Sequence, residues 1–327
     1  MGVDQIVVHT GQHYDDAMSA SFFRDLGIRP PDVNLDVGSA SHAVQTARIM
    51  ERIEPVLVRT RPDWVVVYGD VNSTMAAALV AVKLGLRVAH VEAGVRSGDL
   101  AMPEEINRIV TDRLADLLLT PSRAADATLR AEGEPEREIQ FVGNVMVDTL
   151  LYAVQRARAT GFRQTVNGGG PPITVTLHRP SNVDDPKRLG PIAAALRQIA
   201  TEHPVVFPVH PRTRARLTEQ GLDLGAVRLL DPLGYLDMLD LVDGSRTVIT
   251  DSGGLQVESA ALGVPCLTVR ATTEWPETIE CGANQLIHDP DQLPAAVAAA
   301  RRQADAPKPD GWDGMAAVRV VDCLRTN

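Results

Sequence analysis

Short apolar runs recur along the chain, each closed by a glycine or polar position and followed by a stretch with apolar residues at helical spacing. Gln5–His9, Trp64–Tyr68, Val88–Val91, Ile173–Leu177 and Thr247–Thr250 are such runs. Their alternation with amphipathic stretches, from Ile6 to about Leu151 and again from Ile173 to about Ala300, predicts an α/β fold of parallel sheets covered by helices on both faces. Between the two halves lies Gln164-Thr165-Val166-Asn167-Gly168-Gly169-Gly170-Pro171-Pro172, whose glycine run and double proline suit a flexible connection. A boundary there gives a first domain over 1–165 and a second over 172–305. After the Pro- and Asp-rich stretch 304–310, Met315, Val318, Val321 and Leu324 return to helical spacing, which predicts a terminal helix within 312–327.

At 327 residues, with 44% hydrophobic and 23% charged positions, the chain is long enough for two soluble domains. Lys83, Arg87 and similar charges interrupt every apolar stretch, so none nears the roughly 20 residues of a membrane span. The first residues lack a basic-then-apolar signal pattern, and a cytoplasmic protein with no membrane partner is expected. Cys266, Cys281 and Cys323 are far apart and unpaired in spacing, which predicts neither a disulfide nor a metal site. A net charge of −10 argues against a nucleic-acid partner, because phosphate backbones demand clustered Lys and Arg. A small anionic ligand needs local donors instead, and Arg108, His178, Arg179, His210 and Arg270 are the candidates.

The chemistry concentrates where strands end. His178-Arg179-Pro180 and Asp251-Ser252-Gly253-Gly254 each open a helix directly after an apolar run. Free N–H groups and a positive dipole end sit there, so the segments suit a phosphate. The first half adds carboxylates: Asp70 and Glu92 close strand-like runs, and Glu104 and Glu105 follow Pro103 at a helix start. Ligands of open parallel sheets bind outside the carboxyl ends of the strands, so these acids should converge. Glu104 and Glu105 point about 100° apart on a helix, and only one of them should face the crevice. A structural reading remains for each residue taken singly: a capping Asp, an intrahelical Glu–Arg pair, a satisfied histidine.

The pieces Thr10-Gly11-Gln12-His13, Tyr68-Gly69-Asp70, His90-Val91-Glu92-Ala93-Gly94, Pro103-Glu104-Glu105-Ile106-Asn107-Arg108, Gly143-Asn144, His178-Arg179, Val209-His210-Pro211, Asp251-Ser252-Gly253-Gly254 and Thr272-Thr273-Glu274 run colinearly over nearly the whole chain. Together they resemble the UDP-N-acetylglucosamine 2-epimerase family in its non-hydrolysing bacterial branch. The resemblance implies two doubly wound Rossmann-like domains in a glycosyltransferase-B-like arrangement, an interdomain cleft, a terminal helix packed back on the first domain, and a homodimer. It implies reversible C2 epimerisation of UDP-N-acetylglucosamine to UDP-N-acetylmannosamine by elimination and readdition of UDP, without cofactor or metal, in the supply of cell-envelope polysaccharide.

On this reading Asp70, Glu92, Glu104 and His178 are catalytic, the carboxylates moving the C2 proton and His178 facing the departing UDP. Arg108, Arg179, His210, Ser252, Gly253, Gly254, Glu258 and Arg270 bind substrate, with Arg108 orienting Glu104 and Glu258 accepting from the ribose hydroxyls. Gln12 and His13 belong to a possible allosteric site, which Asp15 in place of a glutamine disfavours. Trp275 stands where better-known members have Arg. The chain also begins, at Gln5–His9, where the family's second strand should, so the first strand-helix unit, with its loop arginine, is expected to be lacking and the first sheet interrupted. Three alternatives stay open: a hydrolysing 2-epimerase that releases N-acetylmannosamine, an epimerase of a diacetamido-uronate UDP-sugar, and an inactive nucleotide-sugar-binding paralogue.

Overall fold

The computed structural model describes residues 3–11, 23–166, 170–302 and 308–327, and Gln12, His13 and Asp15 lie outside them. Two compact units emerge. The first comprises Met1–Asp148 and Asp310–Asn327, the second Thr149–Pro309.

In the first unit, β1 (Val8–His9) pairs with β2 (Val33–Asn34) in parallel. A separate parallel ladder runs in the order β3 (Trp64–Tyr68), β4 (Arg87–Val91), β5 (Leu117–Thr120), β6 (Ile139–Phe141). Among the described residues no ladder joins β1 to β3. Helices α1 (His42–Thr60), α2 (Asn72–Lys83), α3 (Pro103–Leu114) and α4 (Arg123–Ala131) follow β2, β3, β4 and β5. Ser41 and Ser122 cap α1 and α4 by accepting from Val44 and Ala125 N–H groups, and Pro103 opens α3. Ile49, Ile53, Val65, Val67, Ala77 and Leu118 pack one core. On the other face Ala89, Val91, Leu117 and Leu119 meet Val320, which lies on the terminal helix.

The second unit holds a six-stranded parallel sheet. Its strands, in chain order, are β7 (Ile173–Thr176), β8 (Val205–Pro208), β9 (Arg228–Leu230), β10 (Thr247–Thr250), β11 (Cys266–Thr268) and β12 (Asn284–Leu286), and in space they run β12-β11-β10-β7-β8-β9. Successive connections therefore turn in opposite directions on the two sides of the β7–β10 pair. Loops leaving those two strands diverge and leave a crevice at their carboxyl ends. Ile173, Val175, Phe207, Ile249 and Leu267 are all nearly or fully buried within one core, as continuous apolar strands of a doubly covered sheet should be.

The expected boundary at 164–172 is displaced. Helix α5 (Val145–Thr160) contains the division between Asp148 and Thr149, and α6 (Phe162–Val166) belongs to the second unit. Ion pairs decide this: Arg158 Nε lies 2.9 Å from Asp243 and Arg163 Nη1 3.0 Å from it, while the Arg163 amide donates to Asp240 at 2.8 Å. The second unit continues with α7 (Pro180–Val183), α8 (Pro186–Ile199), α9 (Pro211–Glu219), α10 (Tyr235–Asp243), α11 (Gly253–Ala261), α12 (Pro276–Glu280) and α13 (Leu293–Ala299). Both acids belong to α10, the helix preceding β10, and Val166 packs with Val206 and Leu241 beneath.

Candidate active site

In the first unit, β3 ends in a turn that Gly69 makes at φ 62°, and Asp70 follows. Arg108, from the second turn of α3, reaches Asp70 Oδ2 at 2.5 Å and Glu105 Oε2 at 2.7 Å. Glu105 is 2% and Arg108 5% exposed. Burial raises the Glu105 pKa, but the Ser97 and Gly98 amides, Arg108 and the Ser97 hydroxyl outweigh it and hold the carboxyl below its usual range. Glu105 is thus a fixed anion that pins the 97–98 loop to α3 and aims Arg108 at Asp70. Asn107 adds a bond from Nδ2 to the Asp70 carbonyl at 2.8 Å.

The expected pairing of Arg108 with Glu104 does not form. The Glu104 side chain has no hydrogen bond or ion pair among the described residues, so it is Asp70 that Arg108 orients, with the i,i+3 neighbour Glu105 as second partner. Glu92, after β4, holds φ 74°, a left-handed conformation that costs a non-glycine residue on the order of 1–3 kcal/mol and marks functional sites. His90, 0% exposed, spans two structures: Nε2 meets the Gly69 carbonyl at 2.8 Å and Nδ1 the Asp112 carboxylate at 2.6 Å. A carbonyl and a carboxylate both accept, so each ring nitrogen donates, and the Nε2 bond braces the turn that presents Asp70.

The second unit builds its site at the diverging loops of β7 and β10. Asp251, 0% exposed, accepts from the His178 amide at 3.1 Å, the Arg179 amide at 2.9 Å and Asn182 Nδ2 at 3.1 Å, and lies 3.0 Å from His178 Nδ1. Burial alone would raise its pKa; His178 and these donors bring it below the usual value. One carboxylate therefore fixes the whole 178–182 turn and leaves His178 Nε2 as the free edge of a half-exposed ring. His210 stands alongside, ring centres 6.2 Å apart; it accepts from the Arg212 amide, and burial followed by the nearby His178 and Arg212 charges lowers its pKa.

Ser252 caps α11 (Gly253–Ala261), and the Gly253 and Gly254 amides form no bonds among the described residues. Arg270 is 7% exposed and bidentate with Glu274 at 2.5 and 2.8 Å, while Arg179 Nη2 lies 3.5 Å from the same acid. The charge expected from Arg270 is thus already matched within the protein. Farther along α11, burial pushes Glu258 up to about 7 against a hydrogen bond from Tyr235. The bracing roles of Glu105, Asn107, His90 and Asp251 escaped the sequence, where a lone acid after a strand reads as a cap. For Glu105 the i,i+3 spacing to Arg108 was an available signal.

The family model for UDP-N-acetylglucosamine 2-epimerase matches residues 1–325. A Pseudomonas aeruginosa relative, UDP-2,3-diacetamido-2,3-dideoxy-D-glucuronate 2-epimerase, is 46% identical over 288 residues, 87% of this chain and 80% of its own. A Methanocaldococcus jannaschii UDP-N-acetylglucosamine 2-epimerase is 41% identical over 298 residues, 88% and 81% of the two chains. The crystal structure of a UDP-GlcNAc 2-epimerase from that organism, in complex with UDP-GlcNAc and UDP, superposes with a TM-score of 0.88 at 39% identity, covering 99% of this chain and 93% of the other.

Proposed function

The chain belongs to the UDP-N-acetylglucosamine 2-epimerase family, and on that premise we propose that it interconverts UDP-N-acetylglucosamine and UDP-N-acetylmannosamine without hydrolysis. UDP leaves C1 as the C2 proton is removed, giving a glycal; UDP then adds back while a proton returns to the opposite face of C2. The observation that carries the reading is the pair of sites described above. The second unit offers α11 amides and a His178 edge to a diphosphate, and the first offers Asp70, Glu92 and Glu104 for proton transfer.

We assign the leaving diphosphate to Ser252, Gly253, Gly254, His178 and Arg179, the ribose to Glu258, and a supporting contact to His210. Glu104, whose side chain has no partner among the described residues, is the group we assign to proton exchange with substrate. Arg108 acts by fixing Asp70, and Arg270 by fixing Glu274. Proton NMR in deuterated water tests the reading: recovered UDP-sugar should carry deuterium at C2 and appear as a gluco/manno mixture. Epimerisation without isotope uptake would exclude elimination, and accumulation of free N-acetylmannosamine would point to hydrolysis.

A second substrate is favoured by one observation, the 46% identity to the diacetamido-glucuronate epimerase against 41% to the M. jannaschii enzyme. Offering both UDP-sugars in the same deuterated buffer decides between them, since the preferred one labels first. A homodimer belongs to the same proposal: Met50, Met75 and Ile106 line a groove of about 450 Å³ in the first unit, and Ile106 and Ile109 of α3 are 49% and 37% exposed. Light scattering tests it. The described helices include none long and apolar enough to cross a membrane. The three free cysteines accord with a reducing, cytoplasmic site of action.

A further inference from the structure

Trp275 lies in the loop after β11 and is 4% exposed, yet its indole N–H donates to nothing among the described residues. Buried tryptophan N–H groups normally find a partner within the protein. The Nε1 atom is not among the polar atoms sealed from the surface. A Cβ added to Gly253 would sit 3.6 Å from Trp275 Nε1 and 3.6 Å from Glu274 Oε2, the oxygen that Arg270 neutralises. The donor thus lies beside the first residue of α11, where the Gly253 and Gly254 amides also have no partner among the described residues.

A relay of hydrogen bonds holds it there. The Trp275 amide donates to Thr273 Oγ1 at 3.0 Å, Thr273 Oγ1 to Gln256 Oε1 at 2.6 Å, and Gln256 Nε2 to the Ser252 carbonyl at 3.1 Å. Thr278 Oγ1 donates to the Trp275 carbonyl at 2.7 Å. The loop is therefore tied to the helix start, and the ring keeps its place without a ligand. The charges around it cancel: Glu274 takes both Arg270 nitrogens and approaches Arg179. An anion arriving here meets neutral N–H donors more than free cations.

We propose that the Trp275 indole N–H is a direct hydrogen-bond donor to the diphosphate of the bound UDP-sugar, completing a cradle with the Gly253 and Gly254 amides. This rests on the nucleotide reading above. The cradle recognises phosphate oxygens by direction and shape, and the tryptophan makes it selective for the diphosphate over the nucleoside alone.

Calorimetry with UDP and with uridine, on wild type and Trp275→Phe, tests the proposal. The variant should lose about ten- to hundredfold in UDP affinity, the usual effect of removing a hydrogen bond to a charged group, with uridine affinity unchanged. In ¹⁵N-labelled wild type, which carries three tryptophans, UDP should shift the one indole signal that Trp275→Phe lacks, and uridine should not. With Trp64→Phe and Trp312→Phe assigning the other two signals, this second readout stands even where Trp275→Phe folds poorly. UDP affinity within twofold of wild type, an unmoved signal, or equal weakening toward uridine would each overturn the role. Failure of wild type to bind UDP at all would instead remove the nucleotide reading.

Discussion

Glu258 shows how one residue couples binding to pH. Burial pushes its pKa to about 7 from an ordinary 4.5, so between these values the unfolded chain sheds a proton that the folded chain keeps. Stability must then fall as pH rises through that window and level off above it. Glu258→Gln removes the effect: its melting temperature should match wild type near pH 4.5 and exceed it increasingly toward pH 7, with a ceiling on the order of 3 kcal/mol. Ribose hydroxyls donate best to the ionised carboxylate, so wild-type UDP affinity should rise up to about pH 7, while the variant binds roughly 1–3 kcal/mol more weakly at high pH with no such rise. Glu104→Gln should do the reverse, keeping UDP affinity in calorimetry while losing most turnover. His178 and Ser252–Gly254 were legible because each punctuates a strand-to-helix junction. Asp251, which organises them, was not, since its partners His178 and Asn182 lie 73 and 69 residues away.

At the scale of elements, α14 (Ala316–Thr326) and the turn before it dock on the first unit through two glycines. Gly143 holds φ 88° and Gly311 φ 73°; a Cβ on Gly143 would run into the Gly311 carbonyl, and one on Gly311 would lie 2.6 Å from the Phe141 ring. Gly143→Ala should therefore cost about 2–4 kcal/mol, from left-handed strain plus overpacking, read as a lower denaturant midpoint. It should also loosen the indole of Trp64, whose Nε1 donates to the Leu324 carbonyl at 3.1 Å, a change visible in fluorescence. The terminal helix was readable from its apolar spacing, but the docking glycines carry no periodic signal. The unit boundary was misplaced for a related reason. Gly168–Pro172 looks like a hinge locally, whereas Arg158 and Arg163 are held by acids 77 to 85 positions away.

For the molecule as a whole, the doubly wound class followed from the strand-helix rhythm, whereas the separation of β1-β2 from the β3-β4-β5-β6 ladder carries no periodic signal. Strand β3 forms one side of its ladder. The Gly69 amide bonds the Val91 carbonyl, and strand alternation then turns the Val65 and Val67 amides toward β4 and those of Val66 and Tyr68 away from it. Among the described residues nothing pairs the outward set. Hydrogen exchange should find the Val66 and Tyr68 amides markedly faster than those of Val65 and Val67, and equal protection would show that the β3 edge is covered. Such a bare row is a template for any extended chain, including the same strand of another molecule, and natural proteins guard these rows with lysine or proline. From Trp64 to Gly69 this one carries six residues without a charge or a proline. The sample should consequently age by fibril-like association, with a lag that shortens steeply as the stock is concentrated.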